Sequence, residues 1–306
     1  MRIGTRGSAL ALAQSEHVRS SLPTMGEEHR ICIIKTTGDL NPGASLQRIG
    51  GKGLFTKEIE DALLANEVDL AVHSLKDLPT EMAPGLRIGA LLKREEARDA
   101  LISRDGRKLD ELPSGSRIGT SSLRRRAQIL ARRPDLVVED LRGNVPTRVR
   151  RVEEGMFDAV VVAAAGLRRL GLFDRATELI EESVLLPAPG QGVVGVQIRE
   201  GDERTAAAVG TLHDPAAAAE ATAERALLAA LGGGCIVPVG ARAHARDGRL
   251  TLHAFVGNPS GRPTLRHSAE GAVEGAEELG RALAGTLLGR GARAILDDVR
   301  SMEQFP

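Results

Sequence analysis

Ser116-Arg117-Ile118-Gly119-Thr120-Ser121-Ser122-Leu123-Arg124-Arg125-Arg126-Ala127-Gln128-Ile129-Leu130 reads as a short strand, a hydroxyl-rich turn and the start of a helix. Ser116–Gly119 is the strand, and Leu123, Ala127 and Leu130 mark the helix that follows. The pattern then repeats. Leu136–Leu141 is a strand, Val145, Val149 and Val152 place a helix at i, i+4 and i+7, and Phe157–Ala163 is a strongly apolar, buried strand. Alternating strands and helices favour parallel sheets covered on both faces. The stretch from about Ala97 to Leu186 is therefore α/β.

The same grammar extends toward the N-terminus, from Arg2 to about Lys93, with strand candidates Arg30–Thr36, Val68–His73 and Leu86–Leu92. Between them a helix starts at Lys57, with Thr56 placed to cap it and Ile59, Ala62 and Leu63 on one face. Toward the C-terminus, Leu185 to Gly192 breaks the rhythm as a Pro- and Gly-rich connector. Val193–Ile198 is one more strand, placed for the chain to return and complete the first domain's sheet. The chain would thus cross between its first two domains twice, at Glu95-Glu96-Ala97-Arg98 and at Pro187 to Gly192. After Pro215 an Ala-rich helix runs to Leu231 and stops at Gly232-Gly233-Gly234. Asp247-Gly248 between Val239–Ala245 and Leu250–Val256 signals a hairpin, and a last helix carries Leu279, Leu283 and Leu287 on one face. The expected division is a discontinuous domain 1 (1–95 and 192–212), domain 2 (96–191) and a small α+β domain 3 (213–306).

Composition narrows the function. At 306 residues, two or three domains are the better prior than a single core. Apolar content of 42% with 27% charged residues is that of a globular protein. Lys+Arg and Asp+Glu both number 41, so no global field recruits nucleic acid or an anionic membrane. With no Trp, no Tyr and five Phe, there is little to stack bases on. The first apolar stretch, Ala9 to Ala13, falls short of the roughly 7–15 residues of a secretory signal, and Ala159 to Leu167 falls short of the ~20 that span a bilayer. Cys32, inside Ile31-Cys32-Ile33-Ile34, reads as a buried strand residue. The expectation is a cytoplasmic protein without a disulfide framework.

Four places depart from what a bland core needs. Val72-His73-Ser74-Leu75-Lys76-Asp77-Leu78-Pro79 follows a strand, and in open α/β sheets ligands gather beyond the carboxyl ends of strands. Alternatively, this is a solvated loop with a local ion pair. Gly119 to Arg126 puts three arginines where a helix start repels cations, which makes sense if an anion sits there. Arg142-Gly143-Asn144-Val145-Pro146-Thr147-Arg148 again follows a strand and opens a helix; Arg148 and Arg151 can be a solvated flank, but Arg142 at the strand end is harder to dismiss. Arg168 and Arg169 extend the series. A guanidinium fork binds carboxylate bidentately, so several arginines at strand ends point to a polycarboxylate ligand. In Gly232-Gly233-Gly234-Cys235, the glycines free the backbone to bring a sulfur close to something bulky, or merely end a helix before a buried cysteine. None of the seven histidines lies in a partner motif for a cysteine hydrolase, and no His, Cys and carboxylate spacing matches a metal site.

Thr5-Arg6-Gly7-Ser8-Ala9-Leu10-Ala11, Gly51-Lys52-Gly53-Leu54-Phe55, His73 to Pro79, Gly119 to Arg125, Arg142 to Arg148, Leu186-Pro187-Ala188-Pro189-Gly190-Gln191-Gly192 and Gly233-Gly234-Cys235 together resemble, in order, the motif series of the hydroxymethylbilane synthases, or porphobilinogen deaminases. Ala13 and Ile236 depart mildly from the family's usual residues, and neither touches a proposed chemical role. The resemblance implies two periplasmic-binding-protein-like (type II) α/β domains with mostly parallel sheets around a crevice, plus a small third domain. It implies a transferase that condenses four porphobilinogen molecules with loss of ammonia, and a dipyrromethane cofactor joined to Cys235 by a thioether.

Each added pyrrole brings an acetate and a propionate. By this resemblance Arg6, Arg124, Arg125, Arg142, Arg148 and Arg169 answer that charge, with Ser8, Lys76, Thr120, Ser122 and Gln191 as further cofactor or substrate contacts. Asp77 is the acidic group that stabilises the cation left when ammonia departs. Lys52 and Phe55 lie in a segment that could act as a lid or stacking wall. The expected partner is porphobilinogen alone, for a monomer that binds neither nucleic acid nor membrane. Two alternatives share parts of this pattern: a two-domain solute-binding protein for a polycarboxylate, and a nucleic-acid binder built on Arg124-Arg125-Arg126.

Overall fold

The computed structural model describes residues 1–24, 28–40, 56–233 and 237–304. The chain forms two compact units, Met1–Glu95 with Gly192–Ala218, and Glu96–Gln191 with Ala219–Pro306.

The first unit is built on a five-stranded sheet of β1 (Arg2–Thr5), β2 (Arg30–Ile33), β3 (Leu70–Ser74), β4 (Leu86–Leu91) and β10 (Val194–Arg199), ordered β2-β1-β3-β10-β4. β1 pairs in parallel with β2 and β3, whereas β10 runs antiparallel between β3 and β4. The strand after the connector thus completes this sheet, as its apolar run predicts. Cys32, expected to be buried, lies in β2 at the edge of the sheet, where it is only half-buried. One face packs Ile3, Leu70, Val72, Val196 and Ile198 against Val18 of helix Ala9–Ser21 and Val209 of helix Glu203–Gly210. The other packs Val68, Ala71 and Leu86 against Ile59, Ala62 and Leu63 of helix Lys57–Leu64. Each buried Val, Leu or Ile among them contributes about 1.5–3 kcal/mol. Thr56 precedes that helix as expected, but its side chain makes no cap bond, and its hydroxyl is buried without a partner. The spacing located the helix start but not the rotamer.

The second unit repeats the arrangement with β5 (Asp99–Ser103), β6 (Arg117–Gly119), β7 (Val137–Glu139), β8 (Ala159–Ala163) and β9 (Glu178–Leu179), ordered β7-β6-β8-β5-β9. Here β5 is the reversed strand, antiparallel to β8 and β9, while β6 is parallel to β7 and β8. Successive residues of β8 explain its unbroken apolar run. Val161 joins the core with Ile118, Ile129 and Val138, whereas Val160 and Val162 join Val149, Val152 and Phe157 on the opposite face. Both sheets are mostly parallel, as the resemblance implies, with four strands running one way and one reversed. β5 and β9 are strands that the sequence reading did not pick out.

The same unit includes an antiparallel sheet of β11 (Val239–Arg246), β12 (Arg249–Gly257) and β13 (Thr264–Ala272). The hairpin signal is realised: Asp247 and Gly248 have φ of 51° and 74°, the positive pair that a type I′ turn requires. Leu250, Leu252 and Ala254 pack on Leu227 of helix Pro215–Ala230 and on Leu283 and Leu287 of helix Ala276–Leu287. Helix Pro215–Ala230 ends when Gly232 and Gly233 take positive φ, with the Gly232 N–H bonded to Ala229 O and the Gly233 N–H to Leu228 O. That is the reversal the glycine run predicts. Among the described residues no helix is long and apolar enough to cross a membrane.

Candidate functional site at the strand ends

In the second unit β6 ends at Gly119, where a Cβ would lie 2.8 Å from Leu141 Cδ2, so the packing leaves no room for a side chain. Thr120 is buried; its N–H donates to Glu139 O at 2.8 Å and its Oγ1 accepts from Ser122 N at 3.2 Å. Ser121 Oγ donates to Leu141 O at 2.7 Å. Ser122 caps helix Leu123–Arg132 by accepting from Arg125 N at 3.4 Å. The hydroxyl turn thus uses its oxygens to fix the helix start, and it sets Arg124 and Arg125 in the first helical turn.

Both arginines point inward. Their side chains are 4% and 6% exposed, and both meet Asp99, the fully buried first residue of β5. Arg124 Nη1 donates to Asp99 Oδ2 at 2.8 Å and to Leu186 O at 2.7 Å. Arg125 donates to Asp99 Oδ1 through Nη2 at 2.7 Å and Nε at 3.2 Å, and to Val161 O through Nη1 at 2.9 Å. Burial alone would raise the Asp99 pKa, but the two guanidiniums outweigh it and hold the carboxyl well below the usual carboxylate range. For Arg124 burial pulls the pKa down, opposed by Asp99 and reinforced by Arg125.

Gln191 is fully buried and donates to Ala97 O at 2.6 Å and Asp99 Oδ1 at 3.0 Å, so it braces the same carboxylate from the connector. Gln128 holds the connector as well: Leu186 N donates to its Oε1 at 2.9 Å and its Nε2 donates to Leu186 O at 3.1 Å.

The other cations of this unit follow the neighbouring strands. Beyond β7, Arg142 is half-buried, and Asn144 caps helix Val145–Glu153 by accepting from Thr147 N at 2.9 Å. Half-buried Arg148 donates from Nε to Gly143 O at 2.9 Å. Beyond β8, Arg168 lies over the Phe173 ring at 4.2 Å, and Arg169 is half-buried.

In the first unit Arg6 and Ser8 follow β1, both half-buried, and Ser8 caps helix Ala9–Ser21 by accepting from Ala11 N at 3.3 Å. Lys76 and Asp77 follow the adjacent β3 in a single helical turn, Leu75–Asp77. Leu75 anchors this turn: its side chain is fully buried and its N–H donates to Val193 O at 3.0 Å. Lys76 is half-buried and Asp77 exposed. Burial pushes the neighbouring His73 imidazole down to about 4, and the charge of Arg6 adds to the effect. Gln14 Nε2 donates to Ser74 Oγ at 2.9 Å and steadies the end of β3. Lys52, Phe55 and Cys235 lie outside the described residues.

Asp99 and Gln128 went unmarked in the sequence. The available signal was a carboxylate, Asp99, directly ahead of the apolar run Ala100-Leu101-Ile102. A depression lined by Ala131, Gly261, Arg262, Pro263 and Thr264 lies at the opposite end of helix Leu123–Arg132 from Ser122 and holds none of these groups.

Two family models match the chain: "Porphobilinogen deaminase, dipyromethane cofactor binding domain" over residues 1–207, and "Porphobilinogen deaminase, C-terminal domain" over residues 218–289. The chain belongs to the porphobilinogen deaminase family. Among its relatives, the porphobilinogen deaminase of Syntrophobacter fumaroxidans is 46% identical over 301 residues, covering 98% of this chain and 97% of the relative. That of Syntrophus aciditrophicus is 50% identical over 301 residues, covering 97% and 98%. As a porphobilinogen deaminase the protein is a transferase that condenses porphobilinogen in tetrapyrrole biosynthesis, working with a dipyrromethane cofactor. The solute-binding alternative is not favoured. Cys235 falls outside the first matched segment and inside the second.

Proposed function

We propose that the strand-end cations bind the carboxylates of the growing pyrrole chain and that Asp77 stabilises the cation formed from porphobilinogen when ammonia leaves. One observation carries this reading: Arg124 and Arg125, Arg142 and Arg148, and Arg169 follow the carboxyl ends of β6, β7 and β8, three neighbours in one sheet. The donor set suits a polycarboxylate cofactor, since arginines follow three neighbouring strand ends and two of them share one buried carboxylate. When bound, the dipyrromethane supplies the pyrrole terminus to which the first substrate is added. Thr120 and Ser122 fix the turn that presents the cations of the second unit, and Gln191 braces Asp99 from the connector. In the first unit, taken by itself, Arg6, Ser8 and Lys76 are read as further cofactor or substrate contacts.

Asp77 follows Lys76 directly and is exposed beyond the end of β3. A carboxylate is disfavoured next to a carboxylate-rich substrate, so its use lies in meeting charge that appears only after deamination.

The thioether is assigned to Cys235. Intact mass should show wild-type protein heavier than its sequence by one dipyrromethane. Cys235→Ser should lack that mass and all activity, and Cys32→Ser should keep it. An unmodified active wild type, or the adduct on Cys32, overturns the assignment.

We further read the chain as three domains, 1–95 with 192–212, 96–191 and 213–306, in a cytoplasmic monomer with porphobilinogen as its partner. The balance of 41 basic and 41 acidic residues supports the exclusion of nucleic acid. Salt-dependent binding to a random oligonucleotide would overturn that exclusion, and a scattering mass above one chain would overturn the monomer.

A further inference from the structure

The second unit buries a carboxylate for which the reaction as described has no use. Asp99 is fully buried, and its two oxygens are divided between two arginines: Oδ2 takes Arg124 at 2.8 Å, while Oδ1 takes Arg125 at 2.7 Å together with Gln191 at 3.0 Å. A plain structural ion pair needs one cation per carboxylate, since burying charge without compensation is costly. Two guanidiniums on one carboxylate leave a surplus positive charge in a dry place. Both lie in the first turn of helix Leu123–Arg132, where the helix dipole adds to the disfavour. Such a surplus is tolerable if an anion arrives to meet it. Arg124 Nη1 also donates to Leu186 O and Arg125 Nη1 to Val161 O, so Asp99 together with two backbone carbonyls sets the orientation of both guanidiniums.

We propose that Asp99 is a positioning residue of the porphobilinogen deaminase reaction, which holds Arg124 and Arg125 in one fixed splay and cancels one of their two charges. The pair then offers a single positive charge, in a set orientation, to one carboxylate of the dipyrromethane. The inference rests on the reading that these arginines meet pyrrole carboxylates. Asp99 itself touches no ligand and acts through the two guanidiniums. Its loss frees two like charges to repel each other, so the carboxylate meets a disordered pair in place of a preorganised fork.

The test is the fraction of folded, size-exclusion-purified protein that carries the dipyrromethane, read by intact mass beside the melting temperature. Asp99→Asn, which keeps shape and removes charge, should lower the loaded fraction at least fivefold. Asp99→Glu should recover part of it, because charge survives while position shifts. Arg125→Met should fall with Asp99→Asn. If Asp99→Asn does not fold, Asp99→Asn with Arg124→Gln restores the net charge of one. That double variant should fold and load at least fivefold less than Arg124→Gln alone, which still carries Asp99.

Wild-type loading per folded molecule in Asp99→Asn (or, failing that, loading of the double variant equal to that of Arg124→Gln alone), beside an unloaded Arg125→Met, removes Asp99 from the proposal and leaves the arginine reading standing. A loss that Asp99→Glu does not recover at all assigns Asp99 to packing and also overturns it. Wild-type loading in Arg125→Met overturns the arginine reading, and the inference falls with it.

Discussion

The two five-stranded sheets share one plan and differ in where an acid stands among the cations that follow their strand ends. In both, a serine caps the helix after the sheet's central parallel strand: Ser8 after β1 and Ser122 after β6. In the second unit the residues next to that cap are buried cations tied to a buried acid. In the first unit the corresponding helix has no charge in its first turn, and the acid, Asp77, stands exposed beyond β3. The comparison teaches that a sheet topology fixes where chemistry can be placed without fixing its sign. A buried cation pair suits a ligand carboxylate present throughout the reaction. An exposed carboxylate suits a charge that exists only in passing.

Four measurements bear on this contrast. The largest effect is expected at Asp77. Asp77→Asn should bind porphobilinogen but lose roughly two to three decades of kcat, as for one preorganised electrostatic contact, and Asp77→Glu should retain part of the rate. Near-normal kcat with raised KM would make Asp77 an orienting group and dissolve the contrast. Next come the cations of the second sheet. Arg148→Leu and Arg169→Leu should each weaken carboxylate binding by about one to two decades. Elongation should then stall, with partly extended chains visible as discrete masses on the protein; wild-type turnover would mean that both are solvated flanks.

The third measurement concerns His73, buried beside the exposed acid of the first unit. Its pKa, lowered from 6.5 to about 4, means that the unfolded chain binds the extra proton between those values. Stability is therefore full above about pH 6.5 and falls as pH drops toward 4. Between pH 6.5 and 5 denaturant unfolding should lose about 2 kcal/mol from this group, and His73→Gln should flatten the slope. His253, whose pKa burial also lowers, contributes in the same direction and remains in the variant as background. A wild-type slope unchanged by His73→Gln would show that His73 does not titrate as described. The smallest effect tests the shared plan: Ser8→Ala and Ser122→Ala should each cost about 1 kcal/mol of unfolding free energy. A loss confined to one of them would break the equivalence of the two helix starts.

Much of this arrangement is legible in the sequence because it is local. The apolar run Phe157–Ala163 declares a strand buried on both faces, and Asp247-Gly248 declares its own turn. The motifs beyond β3, β6 and β7 are readable because strand, turn and helix follow within a dozen residues. Other features depend on distant partners. Asp99 looks like a surface acid until Arg124 and Arg125, some 25 residues on, close over it. β5 escaped notice because its first residue is charged. β13 was missed because its Arg266, His267, Ser268 and Glu270 dilute the apolar signal and it is held by pairing with β12. Thr56 occupies a cap position without capping, a choice of side-chain rotamer that spacing cannot report.

The position of β10 has a consequence for the order in which the protein acquires its structure. The second unit's five-stranded sheet is complete once residue 179 has been made, from one continuous stretch of chain. The first unit's sheet has a gap between β3 and β4 that only residues 194–199 can fill. During synthesis from the N-terminus, the earliest hundred residues therefore emerge with two strand edges unpaired, and they must wait for a further hundred. The part of the chain that is translated first is finished second, and in that interval the edges of β3 and β4 are the ones most in need of protection from other chains.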